Sequence, residues 1–309
     1  MNWASLQVLV TGGGGFLGSH LCEALLKKGA KKLTLFGHLG ERAKENLGAL
    51  WKEVETIPGD IVEERQKLGS IAKRSDLIFH LAGMDTPSEC QEHFDRALHT
   101  NVLATAHLLS NAERCSRLLF FSSALVYSHN TSAPLCETDP LLAESAYATT
   151  KQMAELLCQN AYHEKKLPVT IVRNFNIYGP RQDTAFVIPS IITQALSKRA
   201  VELWNPEPIR DFTYVVDAID AMIRIAEAPS LSGEVVNLGT GEGQRIGDIA
   251  KTLSNFLGVP VCFMNLDRGE TTQLICDRTK LTRATGWVPA IPLLSGLQQT
   301  IEYYKRQNT

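Results

Sequence analysis

A tyrosine and a lysine, Tyr147 and Lys151, stand four residues apart, a spacing that places two side chains on one face of a helix. An ammonium beside a phenol favours the phenolate, so this tyrosine could act as a general base or acid near neutral pH. The same spacing recurs at Tyr162 and Lys166. The two tyrosines would lie about 22 Å apart along one continuous helix, so only one of them can serve a single reaction centre.

The surrounding sequence favours Tyr147. Ser122 and Ser123 end an apolar, strand-like run, RLLFFSS (117–123), and ligands of α/β proteins bind beyond the carboxyl ends of such strands. Tyr162 instead precedes a charged turn, EKKLP (164–168). We therefore expect Tyr147 to carry the chemistry and Tyr162 to be an ordinary surface tyrosine.

Four consecutive glycines stand in VTGGGGFLGSH, residues 10–20. A buried-strand pattern precedes them and a helical pattern follows, so they occupy a strand-to-helix turn. Gly12, Gly15 and Gly18 form G-x-x-G-x-x-G, which permits a tight turn, the approach of backbone amides to a pyrophosphate and close packing of helix on strand. We interpret the turn as a dinucleotide site rather than a linker or a purely structural turn.

The second strand lacks a carboxylate that NAD-binding folds usually carry. An Asp or Glu about 20 residues past the glycines commonly holds the adenosine ribose hydroxyls, but Phe36, Gly37 and His38 occupy that place. Its absence leaves NADP open as the cofactor, because Arg42 and Lys44 follow closely. The alternative is that both cations coat a solvated helix.

Strand-like runs alternate with helical patterns through residues 1–175, namely LQVLVT (6–11), KLTLF (32–36), DLIFHLA (76–82), RLLFFSS (117–123) and PVTIVRNF (168–175). This alternation predicts an α/β fold with a Rossmann-type, doubly wound parallel sheet over residues 1–175. Beyond this point the order loosens around several prolines. We expect residues 176–309 to form a smaller α/β substrate-binding domain, with part of the chain returning to the first domain.

Composition excludes several classes of function. The chain has 309 residues, 44% of them hydrophobic, with a formal charge of −2 and seven scattered cysteines. It can bury a large core, but it offers no basic cluster for nucleic acid. It also has no run near the roughly 20 apolar residues of a membrane span, and no signal peptide. We expect a cytoplasmic protein with buried thiols, no disulfide framework and no metal site.

Ordered motifs cover nearly the whole chain: TGGGGFLG (11–18), GDI (59–61), FHLAG (79–83), NVLAT (101–105), FSSALVY (121–127), YATTK (147–151), RNFNIYGPRQ (173–182), RDFTYVVD (210–217) and DRTKLTRATGWVP (277–289). In this order they resemble the extended short-chain dehydrogenase/reductases. Within that family they are most similar to the NAD-dependent nucleotide-sugar epimerase/dehydratase group, of which UDP-glucose 4-epimerase is the type.

The resemblance implies roles for particular residues. Ser123 would be the catalytic Ser/Thr, Tyr147 the acid/base, and Lys151 the residue that holds the nicotinamide ribose and lowers the tyrosine pKa. The implied contacts of NAD are Gly12, Gly15, Phe16, Leu17, Gly18, His38, Asp60, Ile61, Leu81, Ala82, Gly83, Asn101, Tyr147, Lys151 and Phe175. The implied contacts of a nucleotide-sugar substrate are Ser123, Asn176, Val187, Arg210, Arg268 and Glu270. A homodimer through the helices that carry Asn101 and Tyr147 is also implied.

Three segments depart from the family pattern or lie outside it. WNPEPI (204–209) stands where the family loop is commonly glycine-rich, and its prolines should reshape the substrate pocket. Met84 and Asp85 follow HLAG without an evident chemical purpose. GTGEG (239–243) falls where the family has a connecting loop, so we interpret it as structural.

The reaction type is indicated by Ala124, Leu125 and Val126, which separate Ser123 from Tyr127. Dehydratases of the family carry an acid pair in this stretch and decarboxylases tend to carry a Glu, whereas these three side chains cannot transfer a proton. We therefore predict an epimerase acting on a UDP-hexose, at C4, through a transient keto sugar and bound NAD. The alternatives are a dehydratase, decarboxylase or NADPH-dependent ketoreductase of the same family, or a non-catalytic dinucleotide-binding regulator.

Overall fold

A computed structural model describes residues 1–128, 134–264 and 272–307. Arg268 and Glu270, two of the expected substrate contacts, lie outside these ranges. The strands of the described residues are β1 (Gln7–Thr11), β2 (Lys32–Gly37), β3 (Glu55–Pro58), β4 (Leu77–His80), β5 (Arg117–Ser123), β6 (Val169–Asn174), β7 (Asn176–Tyr178), β8 (Val201–Leu203), β9 (Ile209–Tyr214), β10 (Val235–Leu238), β11 (Gly243–Arg245), β12 (Val261–Phe263) and β13 (Gln273–Leu274).

The described α-helices are α1 (Phe16–Lys27), α2 (Glu41–Leu47), α3 (Arg65–Arg74), α4 (Pro87–Glu92), α5 (Phe94–Leu98), α6 (Ala104–Asn111), α7 (Ala146–Lys165), α8 (Val187–Lys198), α9 (Val215–Glu227), α10 (Ile246–Leu257), α11 (Thr279–Thr285) and α12 (Leu293–Gln307). A π-helical turn, His99–Leu103, joins α5 to α6. None of these helices combines the length and the apolar character needed to cross a bilayer.

Seven parallel strands form the large sheet, in the order β10-β6-β5-β4-β1-β2-β3. The order reverses at β1, which pairs with β2 on one side and β4 on the other. Such sheets bind ligands beyond the carboxyl ends of the strands at this reversal. The predicted Rossmann-type fold is confirmed, and it brings the ends of β1, β4 and β5 to one edge.

Side chains of the sheet alternate between two hydrophobic layers. Val8 and Val10 of β1 pack into the layer shared with α1 and α9, while Leu9 packs into the layer shared with α3, α6 and α7. Both faces of the strand are therefore buried, which explains the nearly continuous apolar run at 6–11. Helices packed on both faces of the sheet therefore hold the strands whose carboxyl ends carry the site.

The five predicted strands form β1, β2, β4, β5 and β6, with ends displaced by at most two residues. The sequence prediction missed β3, an edge strand whose four residues, ETIP, contain no apolar run. The seventh strand, β10, pairs with β6, so the chain returns to the large sheet after residue 176. The boundary between residues 175 and 176 stays a prediction.

A smaller sheet is built around β9, which pairs with β7, β11 and β13. The chain closes this sheet through Asp211 of β9, whose carboxylate accepts the amide hydrogens of Thr240 and Gly241 at 2.8 and 2.7 Å. A protein carboxylate thus occupies the amides of GTGEG, in line with a structural role. All seven cysteines are free, but Cys262 is exposed and Cys136 is only partly buried, so the expectation of buried thiols is wrong for these two.

Candidate active site

The glycine turn between β1 and α1 holds its backbone against the end of β4. Gly12 has φ +71°, and a Cβ there would lie 2.9 Å from the Ala82 amide nitrogen. A side chain at Gly18 would overlap the Gly12 carbonyl, so this glycine lets α1 approach the strand. Helix α1 begins at Phe16 after Gly15, which provides no side-chain cap. The turn therefore presents uncapped helix amides, the arrangement that suits a pyrophosphate.

The end of β2 explains the missing carboxylate. Gly37 has φ +147° there, a backbone conformation that residues with a side chain rarely adopt. His38 follows and its Nε2 lies 3.1 Å from Asp60 Oδ2, so the two expected adenosine contacts face each other. Ile61 is buried beneath them.

The cations considered for an NADP phosphate have carboxylate partners. Arg42 Nη1 lies 2.6 Å from Asp183 Oδ2, and Lys44 Nζ lies 2.6 Å from Glu41 Oε1. Both ion pairs are exposed. Of the two interpretations left open by the sequence, the solvated helix surface agrees better with these contacts.

A buried hydrogen-bond chain links the ends of β1 and β4 to α6. Thr105 Oγ1 donates to the Asn101 carbonyl at 2.7 Å and lies 2.9 Å from His80 Nε2. His80 Nδ1 lies 2.7 Å from Thr11 Oγ1, which accepts the Ala82 amide hydrogen. Burial lowers the pKa of His80 to about 3, so the ring is neutral. Because the Thr105 hydroxyl hydrogen is committed, Nε2 carries the imidazole proton and Nδ1 accepts from Thr11.

Asn101 clamps the backbone that follows β4. It lies in the π-helical turn, and its Oδ1 accepts the Met84 amide hydrogen at 2.8 Å. Its Nδ2 donates to the Met84 carbonyl at 3.0 Å and to Thr150 Oγ1 at 2.9 Å. This buried amide thereby joins the segment after Gly83 to α7 one residue before Lys151. Sequence reasoning missed Thr150, whose role depends on this contact between distant elements.

Ser123, Tyr147 and Lys151 come together at the ends of β5 and the start of α7. Ser145 caps α7, with its Oγ accepting the Ala148 amide hydrogen at 3.2 Å. Tyr147 is 8% exposed and hydrogen-bonds to Ser123. Lys151 Nζ donates to the Phe121 carbonyl at 2.9 Å and lies 5.8 Å from the centroid of the Tyr147 ring.

The electrostatics of this group differ from the sequence expectation. Burial, and then the charge of Asp85, raise the pKa of Tyr147, against the lowering effect of the Ser123 hydrogen bond. Burial also lowers the pKa of Lys151. The net pKa of Tyr147 is therefore raised and not lowered in the protein alone, because desolvation of the phenolate dominates; the lowering by Lys151 stays a prediction.

An apolar wall stands beside the tyrosine. Ala124 and Val126 are buried within the short 3₁₀ turn Ala124–Val126. The Leu125 amide donates a hydrogen bond to Ser123 Oγ at 3.2 Å and so caps the start of this turn. Leu125 packs against the cluster of Met84, Cys90, Ala97 and Tyr147. No proton-transferring side chain is contributed by this turn.

The second tyrosine–lysine pair is not assembled for chemistry. Tyr162 is half-buried, and its ring packs so closely on Gly233 that no Cβ could fit there. The prediction of a surface tyrosine is therefore wrong. Lys166 lies beyond the end of α7 with φ +56°, and its Nζ donates to the His163 carbonyl.

The expected substrate contacts are distributed over β7, α8 and β9. Asn176 begins β7 and Val187 begins α8. Arg210 of β9 donates to the carbonyls of Ile209 and Thr272 and to Thr272 Oγ1, each at 2.9 Å. Burial lowers the pKa of Arg210.

Phe175, an expected NAD contact, lies between β6 and β7. It is buried in a cluster with Tyr127, Ala124 and Leu274. Its ring centroid is 6.4 Å from that of Tyr127. Phe175 therefore also belongs to the packing that supports the 3₁₀ turn beside Ser123.

Known proteins share this architecture. UDP-N-acetyl-alpha-D-glucosaminuronate decarboxylase of Bacillus cytotoxicus is 31% identical over 97% of this chain and 98% of its own length. The structure of UDP-glucuronic acid 4-epimerase of Bacillus cereus with UDP-glucuronic acid and NAD is 28% identical, with a TM-score of 0.90 over 97% of this chain and 99% of that one. UDP-glucose 4-epimerase of Thermotoga maritima, solved with UDP-glucose, is 28% identical, with a TM-score of 0.90 over 98% of this chain and 99% of that one.

A family model describes most of the chain as well. The model of the NAD dependent epimerase/dehydratase family matches residues 8–239, a range that runs from β1 to the end of β10. It includes the glycine turn and the Ser123, Tyr147 and Lys151 group. The chain belongs to the NAD dependent epimerase/dehydratase family.

Proposed function

We propose that the protein is an NAD-dependent nucleotide-sugar epimerase that inverts C4 of a UDP-hexose through a transient keto sugar. One observation carries the proposal: the three residues after Ser123 that could hold a second proton donor, Ala124, Leu125 and Val126, are apolar, and Leu125 packs against the cluster that contains Tyr147. Oxidation followed by re-reduction needs one acid/base, whereas elimination of water needs a proton removed at one carbon and another delivered to the leaving hydroxyl.

The residues at the ends of β1, β2 and β4 fit a dinucleotide. Gly12 and Gly18 leave space that side chains would fill, and the uncapped start of α1 can take the pyrophosphate. When bound, NAD would supply the hydride acceptor and a positively charged ring that adds to Lys151 in favouring the Tyr147 phenolate. We propose NAD rather than NADP, because Arg42 and Lys44 are paired with carboxylates and a hydride returned internally needs no external reductant.

Tyr147 and Ser123 would divide the proton chemistry between them. Tyr147 Oη would take the proton of the C4 hydroxyl, while Ser123 Oγ hydrogen-bonds the same oxygen. Once the ketone has turned over in the cleft, Tyr147 would return the proton to the oxygen as the carbon is reduced on its other face. The sugar changes configuration, and no net oxidation, water loss or carbon loss occurs.

Decarboxylation of a nucleotide uronic acid is the second candidate, supported by the decarboxylase of Bacillus cytotoxicus at 31% identity. Against it stands the apolar stretch of residues 124–126, in which decarboxylases of the family tend to carry a Glu. Dehydration is supported at lower identity, by an NDP-hexosamine 5,6-dehydratase that is 25% identical, and it needs the second proton donor that residues 124–126 do not provide. A purely regulatory role leaves the group of Ser123, Tyr147 and Lys151 without a purpose.

A panel of UDP-, dTDP-, GDP- and CDP-sugars, with products resolved by NMR, tests the reaction. We expect an equilibrium mixture of two C4 epimers of a UDP-hexose, formed without added reductant. The mass of the nucleotide released on denaturing the protein should be that of NAD. Loss of carbon dioxide or water, or stoichiometric consumption of NAD(P)H, would contradict the proposed reaction.

We also propose a homodimer in which the α6 and α7 pair packs on the same pair of a second copy. These helices pack together, yet Leu103, directly before α6, and Leu156 of α7 remain 55% and 61% exposed. Met153, one helical turn from Leu156, is 41% exposed. A two-fold axis would cover this apolar surface on both copies.

A cytoplasmic location stays a prediction from the sequence.

A further inference from the structure

Asp85 is an acidic residue beside Tyr147 and Lys151 that the proposed reaction does not use. It follows Gly83 and Met84 at the carboxyl end of β4. A Cβ built on Gly83 would lie 3.5 Å from Lys151 Nζ. Asn101 holds the Met84 amide and carbonyl, so the backbone that carries Asp85 is fixed by the same clamp that orders the segment after β4.

The charge of Asp85 acts on the reacting groups. Burial has the largest effect on the pKa values of Tyr147 and Lys151, and the charge of Asp85 has the second largest. This charge raises the pKa of Tyr147 and opposes the lowering of the pKa of Lys151. The carboxyl itself is desolvated by the protein around it, which raises its pKa, while Lys151 favours its ionised form. Met84, the residue before Asp85, packs in one cluster with Tyr147, and Gly83 lies against Lys151, so Asp85 stands at the cleft where Tyr147 would meet the sugar.

The carboxylate is also available to a ligand. The residue is exposed to solvent, although the surrounding protein partly shields its carboxyl, and within the described parts of the chain it hydrogen-bonds only to its own backbone amide. Lys151, the cation whose charge acts on Asp85, donates its Nζ hydrogen bond to the Phe121 carbonyl. Asp183 and Glu89 add further negative charge that Asp85 experiences.

We propose that Asp85 lines the sugar subsite and selects uncharged hexoses against uronic acids. The carboxylate accepts hydrogen bonds from sugar hydroxyls, which are donors, and repels a sugar carboxylate, which is an acceptor only. The inference rests on the proposed function, because it takes the ligand to be a nucleotide sugar. It also separates that function from decarboxylation, whose substrate must carry the carboxylate that Asp85 repels.

Binding to the Tyr147→Phe protein tests this selection without turnover. UDP-glucose and UDP-glucuronic acid are titrated into it by calorimetry, and we expect UDP-glucose to bind at least about tenfold more tightly. Adding Asp85→Asn should tighten UDP-glucuronic acid about tenfold and bring the two affinities close together. Glu89→Gln is the matched control, since it removes a neighbouring exposed charge and should leave the ratio nearly unchanged. Asp85→Ser provides a second variant, and thermal melting verifies that each protein is folded.

Selection by Asp85 would be overturned if the Tyr147→Phe protein, which retains Asp85, bound UDP-glucuronic acid more tightly than UDP-glucose. It would also be overturned if the ratio of the two affinities were unchanged in both Asp85 variants. Failure of both ligands to bind would overturn it together with the proposed function. If Asp85→Asn changes the ratio as expected but the unsubstituted enzyme forms no epimer from any sugar, Asp85 keeps its role and the proposed reaction fails. The two hypotheses are thus separated by binding on one side and product analysis on the other.

Discussion

The phenol of Tyr147 shows how a single residue depends on its surroundings for chemistry. Burial raises its pKa, and Asp85 raises it further. A phenol in this state does not lose its proton unaided at neutral pH, so cationic groups must assemble next to it before it can act as a base. Lys151 is one such group, fixed by the Phe121 carbonyl. Proton transfer is thereby coupled to complete occupation of the site.

Tyr147→Phe should abolish most of the turnover and leave the fold and NAD binding nearly intact, because only the hydroxyl is removed. General acid–base catalysis contributes about 10²- to 10⁴-fold, so kcat should fall by that factor or more. Steady-state kinetics, with cofactor content measured in the same preparations, provides the measurement. Tyr162→Phe is the matched control: it keeps the ring that packs on Gly233 and should be silent. An inactive Tyr162→Phe protein would show that the wrong pair was chosen.

At the scale of elements, the sequence predicted the strands that carry the site but could not give the contacts between them. The runs that form β1, β4 and β5 are apolar because both faces of the sheet are buried, so their pattern is visible in the sequence. The spacing of Tyr147 and Lys151 predicts the catalytic pair, and the family resemblance adds Ser123. Asp85 was noticed without a purpose, because its place depends on the Asn101 clamp from a distant helix.

The buried chain from Thr11 through His80 to Thr105 makes the elements around the site sensitive to acid. The pKa of His80 is lowered by burial from an ordinary 6.5 to about 3. Between these values the unfolded chain binds a proton that the folded protein refuses, so stability is present above pH 6.5 and is lost as the pH falls towards 3. The free energy of unfolding should decrease by about 1.4 kcal/mol per pH unit in this window.

Urea unfolding at pH 6.5 and pH 5.0 measures this contribution as the difference between the protein and His80→Gln. The variant should be less stable at pH 6.5, because Thr11 and Thr105 lose their partner, but it should lose about 1.6 kcal/mol less than the parent on acidification. His99→Gln removes an exposed histidine and should keep the parental slope. Equal slopes for the parent and His80→Gln would mean that His80 is not held neutral.

For the whole molecule, the exposed apolar surface over α6 and α7 has consequences for assembly. Leu156→Lys places a charge at the centre of the proposed two-fold contact, where its removal from water would be costly. Light scattering should therefore give a mass near twice the 34.1 kDa chain for the parent and near one chain for the variant. Val288→Lys is the matched control, since Val288 is 54% exposed and lies outside these helices, and it should remain dimeric.

Because α7 also carries Tyr147 and Lys151, the monomeric variant should show reduced kcat while its circular dichroism stays that of the parent. A parent protein that is monomeric at micromolar concentrations would contradict the two-fold contact and leave the apolar surface to another partner.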